Sequence, residues 1–206
     1  MANHNRRGGQ AGEARRVVGI FFSTLALATV FSLLSDSVLR TSTVFLAVVV
    51  VIVIVLIGII SDIVGIATAA AEPAPLNAMA AKRTPGARQA LRLVRNAPRA
   101  ATIFNDLVGD ICGTVSGAAG AAIIFHVSRT RPVFDPGLAT VFLVSVIAAV
   151  TVGGKALGKS LAINRANDIV FRAGRVLWWL EERLGLVIFR DPPAARRGSR
   201  RGGGRS

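Results

Sequence analysis

The sequence has few of the residues on which most soluble protein classes depend. A single cysteine, Cys112, excludes a fold held together by disulfide bonds. The chain has only two histidines in addition to that cysteine, so it has no cluster of the ligands that zinc or iron sites require. Charged residues make up only 17% of the 206 residues. This low share excludes an ordinary soluble domain with amphipathic elements.

Acidic residues are also scarce. The chain has 11 Asp and Glu but 25 Lys and Arg, so its net charge is +14. Such a basic excess is typical of nucleic-acid binding. However, 52% of the residues are hydrophobic, the mean hydropathy is +0.55, and the apolar residues form long unbroken blocks. These blocks exclude disorder throughout the chain. They predict a membrane protein forming one compact bundle, with no nucleic-acid partner.

Four apolar blocks are long enough to cross a bilayer: residues 17–34, 43–71, 101–127 and 137–157. About 20 helical residues cross a hydrocarbon core of ~30 Å. The first block could also be a cleaved signal peptide, but its length and the lack of a cleavage site favour an uncleaved helix. The sequence therefore predicts an all-α membrane protein with four transmembrane helices, in a transmembrane domain of residues 17–168.

The basic residues are distributed unevenly between the two predicted sides of the membrane. Of the 25, 22 lie in the N-terminal arm, in the loop at residues 72–100, or from residue 155 onward. Basic loops face the cytoplasm in multi-pass membrane proteins. The distribution therefore favours an even number of spans and two cytoplasmic termini, in an inner or plasma membrane.

Four further segments are expected to lie outside the spans. Residues 1–16 form a basic cytoplasmic arm. Residues 76–99 mix apolar and basic side chains around a Pro-Gly break, which predicts two short helices on the cytoplasmic leaflet. Residues 169–190 include two adjacent tryptophans and predict an amphipathic interfacial helix. Residues 191–206 form an Arg- and Gly-rich tail that we expect to be disordered, in contact with solvent or lipid rather than RNA.

Several polar residues fall inside the apolar blocks, where unpaired charges are costly and therefore indicate function. The candidates are Ser61, Asp62, Asn105, Asp106, Asp110 and Lys155. Asp106 and Asp110 are four residues apart, which places them on one face of an α-helix. Carboxylate, amide and hydroxyl oxygens are the ligands of a hard cation such as Mg²⁺. Alternatively, the aspartates form ion pairs with Lys155 or Lys159 and only stabilise the packing.

Small residues recur beside these acids at Gly109, Gly113 and Gly117. Their four-residue spacing is typical of closely packed membrane helices. We therefore expect a tight helix contact or a homodimer at this stripe.

Signatures of enzymatic chemistry are missing from the sequence. It has no nucleophile beside a histidine base and no P-loop lysine motif. Intramembrane aspartyl chemistry by Asp106 and Asp110 is a minor alternative, and we expect no enzymatic activity.

Three motifs follow the long second block in a fixed order: KRTPGARQALRLVRNAPRAATIF, NDLVGDI and GGKALGKSLA. In this order they resemble the transmembrane domain of the CNNM/CorC family of magnesium transporters, over about residues 43–168. Asn105 falls on the first asparagine of the family's GNNLVNI-like segment. Residues of the family's GE-x-x-PK-S/T-x-A motif fall on Gly154, Lys159, Ser160 and Ala162.

The resemblance implies a homodimer with an inward-facing acidic cavity for Mg²⁺ and export or exchange of the cation. It also implies Asn105 as a cation contact. The chain departs from the family at two motif positions, because Lys155 replaces a glutamate and Gly158 a proline. The CBS-pair domain that follows in the family is expected to be absent.

Two functional hypotheses follow from the residues and from the resemblance. In the first, the protein transports a divalent cation, which Asp62, Asp106 and Asp110 neutralise while Asn105 and Ser61 supply neutral oxygens. Apart from such a transported Mg²⁺, no cofactor is expected. In the second hypothesis, the protein is a non-transporting membrane scaffold whose aspartates are held in ion pairs with Lys155.

Overall fold

The computed structural model describes residues 17–33, 37, 43–130 and 135–185. All regular elements among them are helices, which confirms the predicted all-α fold over this part of the chain. The elements are α1 (Val17–Leu33), α2 (Val44–Ala70), α3 (Pro73–Ala81), α4 (Ala87–Arg95), α5 (Ala97–Ala101), a π-helix (Thr102–Gly109), α6 (Asp110–Thr130), α7 (Pro136–Asn164) and α8 (Ala166–Leu184). The predicted arm, the predicted tail and the end of the 169–190 segment lie outside the described residues.

Three helices are long and apolar enough to cross a membrane, which indicates that the protein associates with one. They are α2, the continuous helix Ala97–Arg129, and α7, with 27, 33 and 29 residues. The predicted blocks at 43–71, 101–127 and 137–157 fall on these helices, and α7 continues past the predicted end to Asn164. The remaining apolar helix, α1, has 17 residues and is shorter. Length and apolarity thus support three of the four predicted spans.

Proline and glycine mark the ends of the helices near the predicted cytoplasmic side. Helix α2 ends at Ala70, and Pro73 begins α3, where its missing N–H is not needed for a helical hydrogen bond. Gly86 precedes α4 with a φ of 85°, a left-handed conformation that glycine adopts without steric cost. A Cβ at Gly86 would also lie 2.6 Å from the Cα of Arg175, so a side chain there would push α8 away from this turn.

Helix α2 lies at the centre of the bundle. It packs against the π-helix, α6 and α7 in the apolar part of the chain, and against α5 and α8 at its C-terminal end. Side chains of α1 contact the cluster formed by Ile54, Ile111, Cys112 and Val115. In α7 only 6% of the most apolar stretch is buried, so this helix presents most of its apolar surface outward.

Helices α3, α4 and α8 form a second layer over the C-terminal ends of α2 and α7. Their shared core contains Leu76, Leu93 and Val170, which are almost fully buried. On one side of this core, the Gln89 amide of α4 donates a hydrogen bond of 2.7 Å to Glu181 of α8. Arg92 forms an ion pair with the same carboxylate at 3.5 Å. These contacts fix α8 against α4.

Candidate functional site

The N-terminal part of the helix Ala97–Arg129 contains a π-helix of eight residues, Thr102–Gly109. π-Helices are rare, are usually a single turn long and are frequent at functional sites. Their hydrogen bonds span five residues instead of four, which widens the helix. Asp106 lies within this π-helix, and Asp110 is the first residue of α6. The predicted shared face of these two aspartates stays a prediction.

The π-helix lies directly against α2. A Cβ placed on Gly58 would lie 2.9 Å from the Cβ of Cys112 and 3.4 Å from the carbonyl oxygen of Gly109. One turn further along α2, the Ser61 hydroxyl donates a hydrogen bond of 2.7 Å to the carbonyl oxygen of Phe104. Backbone contact and this hydrogen bond together hold the two helices in one register.

Lys155 of α7 lies between two carboxylates that belong to two other helices. Its Nζ atom is 3.2 Å from Oδ1 of Asp110, within hydrogen-bond distance, and 3.7 Å from Oδ1 of Asp62. The Asp62 side chain is 15% exposed and that of Asp110 is 72% exposed. The lysine therefore links α2, α6 and α7. With both carboxylates ionised, the group keeps one uncompensated negative charge.

The third predicted acid does not join this group. Asp106 is exposed, and its side chain makes no ion pair or hydrogen bond within the described part of the chain. Over the same residues, no group of three or more His, Cys, Asp or Glu side chains is placed to hold a metal ion. The structure thus brings Asp62 and Asp110 together through Lys155, but leaves Asp106 outside.

The predicted neutral ligands, Asn105 and Ser61, lie close to this group on the interface between α2 and the π-helix. The Asn105 side chain packs on the bare backbone of Gly65, where an added Cβ would overlap the amide oxygen. That oxygen, Oδ1, is buried and has no hydrogen-bond partner among the described residues. The Ser61 hydroxyl, by contrast, already uses its proton on Phe104. The Ser61 oxygen keeps its lone pairs beside this bond, whereas the Asn105 Oδ1 atom is buried without any partner among the described residues.

Substituting Gly65 with alanine is expected to destabilise the bundle by about 1–3 kcal/mol, the usual cost of overpacking a closely packed site. The new methyl group would displace the Asn105 amide and separate α2 from the π-helix. Unfolding of the purified variant by heat in a mild detergent measures the effect. Gly153→Ala is the matched control, because this glycine is also in a helix and a Cβ there meets no described atom within 4 Å. Equal stability of both variants would contradict this packing.

Close glycine contacts also occur outside the predicted glycine stripe, on α2 and α7. Gly154 and Gly158 of α7 receive the side chains of Ile59 and Ile63 of α2. Their four-residue spacing is a small-xxx-small signal that could have identified this contact. Gly58 and Gly65 are seven residues apart on α2, and no comparably specific sequence pattern predicts their close contacts.

The predicted glycine stripe on α6 is only partly used for packing within the protomer. Gly109 is closely packed, whereas a Cβ at Gly113 would make ordinary contact with Thr151 at 3.9 Å. Together with α7, the stripe borders an open groove of about 630 Å³. Lys155 and Asp110 also line this groove, so the carboxylate of Asp110 is accessible from it.

No protein-family model, no curated protein and no solved structure matches this chain. The resemblance to the CNNM/CorC family therefore depends on the sequence motifs alone and stays a prediction.

Proposed function

We propose that this protein is a non-transporting membrane scaffold in which Lys155 takes the place of a cation. The observation that carries the proposal is the position of the lysine ammonium, 3.2 Å from Asp110 and 3.7 Å from Asp62. These two ion pairs connect α7 to α6 and α2. The function of the pairs is then to fix the relative positions of three membrane helices.

Electrostatics at membrane depth supports this assignment. Charges attract each other strongly in a low-dielectric environment, and removing one partner of a pair leaves a costly unpaired charge. Lys155 is covalently attached beside both carboxylates, so a free cation must compete with a group that is always present. Because Asp106 lies outside the group, a divalent cation would find two carboxylates there instead of three. The ammonium of Lys155 already lies beside both of them, so a hard cation such as Mg²⁺ would need to displace the lysine.

The proposal includes four spans, with α1 as the first and both termini in the cytoplasm of an inner- or plasma-membrane protein. The 17 residues of α1 rise about 25 Å, close to the ~30 Å hydrocarbon core. In this orientation α3, α4 and α8 lie at the cytoplasmic leaflet. We also propose a homodimer, for which the groove lined by Gly113 and Gly117 offers a close helix approach.

Divalent-cation transport is the second candidate, and two observations favour it. The groove gives access to Asp110, and the buried Oδ1 atom of Asn105 lacks a partner that a cation or a water molecule would supply. In this candidate Lys155 moves away and Mg²⁺ binds Asp62 and Asp110. The resemblance to the CNNM/CorC family also favours Mg²⁺ as the ion. However, the family motif has a glutamate at the position that Lys155 occupies in this chain.

Mg²⁺ flux into proteoliposomes distinguishes the two candidates. For a scaffold, we expect the wild type and Asp110→Asn to show the same flux as protein-free vesicles. Transport would instead give a wild-type flux at least about tenfold above that background, lost in Asp110→Asn because half of the carboxylate charge is removed. Asp106→Asn is the matched control, since this exposed aspartate lies outside the Lys155 group. A wild-type flux that only Asp110→Asn abolishes would contradict the scaffold.

A further inference from the structure

Helix α8 has two opposite faces of different character. One face packs on α4 through buried residues spaced three or four apart, including Val170, Gly174 and Leu177. The opposite face is exposed and contains Arg172, Arg175, Val176, Trp179 and Arg183, with the acids Asp168 and Glu182 toward its two ends. Val176 is 59% exposed and Trp179 is 53% exposed. Helix α8 is thus fixed on its inner side and presents a basic and aromatic outer face.

The outer face contains a shallow pocket of about 420 Å³ lined by Arg172, Arg175, Val176 and Trp179. Two guanidinium groups and two apolar side chains form this lining, and no acid contributes to it. The Arg175 guanidinium lies 5.1 Å from the ring centre of Phe171, a distance typical of a cation–π contact. The pocket therefore combines a place for an anion with an apolar wall.

The position of α8 places this pocket next to the membrane. Only Arg165 separates the start of α8 from the end of α7, one of the helices long enough to span the bilayer. Tryptophan is enriched at the level of the lipid head groups, and arginine extends its charge toward the same level. An anionic group at this depth is supplied most directly by a phospholipid.

We propose that the outer face of α8 binds an anionic phospholipid, with the phosphate at Arg172 and Arg175 and the adjoining chain along Val176 and Trp179. Planar guanidinium groups bind phosphate oxygens in pairs, which suits two arginines one turn apart. This proposal requires only that α7 spans the membrane. It holds for a scaffold and for a transporter alike.

Charge disfavours the C-terminal segment of the chain as the occupant of this pocket. Residues 186–206 contain six arginines and a single acid, Asp191. Like charges repel, whereas an anionic lipid complements the two arginines of the pocket.

Quenching of Trp179 by brominated lipids tests the proposal on the full chain in nanodiscs. The chain has two tryptophans, so Trp178→Phe leaves Trp179 as the reporter. Brominated phosphatidylglycerol should quench Trp179 at about 25-fold lower mole fraction than brominated phosphatidylcholine. This ratio corresponds to about fivefold for each of the two arginines. In the Arg172→Gln/Arg175→Gln variant, the two lipids should quench equally.

A control with the same loss of charge is Arg88→Gln/Arg99→Gln, two exposed arginines that are not part of α8. It should keep the preference for phosphatidylglycerol. The proposal is overturned if both lipids quench the wild type equally, or if the control loses the preference as fully as the α8 variant does. Quenching by neither lipid would show that a protein covers the face and would also overturn it. Removal of the preference by millimolar soluble glycerol phosphate would identify a soluble phosphate ligand instead of a lipid.

Discussion

Substituting Lys155 with methionine is expected to lower the free energy of unfolding by about 1–3 kcal/mol, because it leaves the largely buried carboxylate of Asp62 without its partner. The variant keeps the length of the side chain but leaves Asp62 and Asp110 facing each other without the ammonium. At membrane depth, water provides little compensation for the unpaired carboxylates. Thermal unfolding in a mild detergent, followed by circular dichroism, measures the change.

Lys159→Met is the matched control for this experiment. Lys159 lies one turn further along α7 and is exposed, so its substitution removes the same charge without breaking the Lys155 ion pairs. We expect its stability to stay within about 0.5 kcal/mol of the wild type. If both lysine variants lost the same stability, net charge would explain the effect and the ion pairs would not.

Substituting Lys155 with glutamate is expected to make the stability of the protein dependent on Mg²⁺. Three carboxylates from α2, α6 and α7 would then face one centre, which is a ligand set for a hard cation. Without Mg²⁺, their mutual repulsion should destabilise the variant at least as much as the methionine substitution does. At about 100 times the dissociation constant, bound Mg²⁺ should contribute about 2.7 kcal/mol, equivalent to a rise in Tm of about 5–10 °C.

The control for the glutamate variant is the wild type under the same Mg²⁺ titration. Its Tm should stay constant, because the ammonium of Lys155 already occupies the space between Asp62 and Asp110. A Tm of Lys155→Glu that did not respond to Mg²⁺ would show that these carboxylates cannot address a common ion. An equal response of the wild type would show that a cation displaces the lysine, and it would favour transport over the scaffold.

Hydropathy alone predicts the three long apolar helices. A segment that crosses the bilayer must form its backbone hydrogen bonds internally, so an apolar block of this length is expected to be helical. Their ends are less predictable, as the extension of α7 to Asn164 shows. The π-helix has no recognised pattern in the sequence. The spacing of Asp106 and Asp110 likewise does not predict which of the two aspartates contacts Lys155.

The candidate site was predictable as a set of residues but not as an arrangement. Polar side chains inside apolar blocks identified Asp62, Asp110, Asn105 and Lys155. Which of them meet depends on how three helices cross, and this depends on close contacts at Gly58 and at other glycines spread over the chain. Local sequence patterns contain no information on such distant contacts. The two hypotheses from the sequence therefore differed only in what Lys155 contacts.

In the proposed scaffold Lys155 and Asp62 stabilise the bundle together, and a double-mutant cycle measures their coupling. The cycle compares Lys155→Met, Asp62→Asn and the double variant by their free energies of unfolding. Because each single change removes the same ion pair, the account predicts a coupling energy of about 1 kcal/mol or more. The corresponding cycle with Asp106→Asn should be additive. Additivity within about 0.3 kcal/mol for Lys155 and Asp62 would contradict the account.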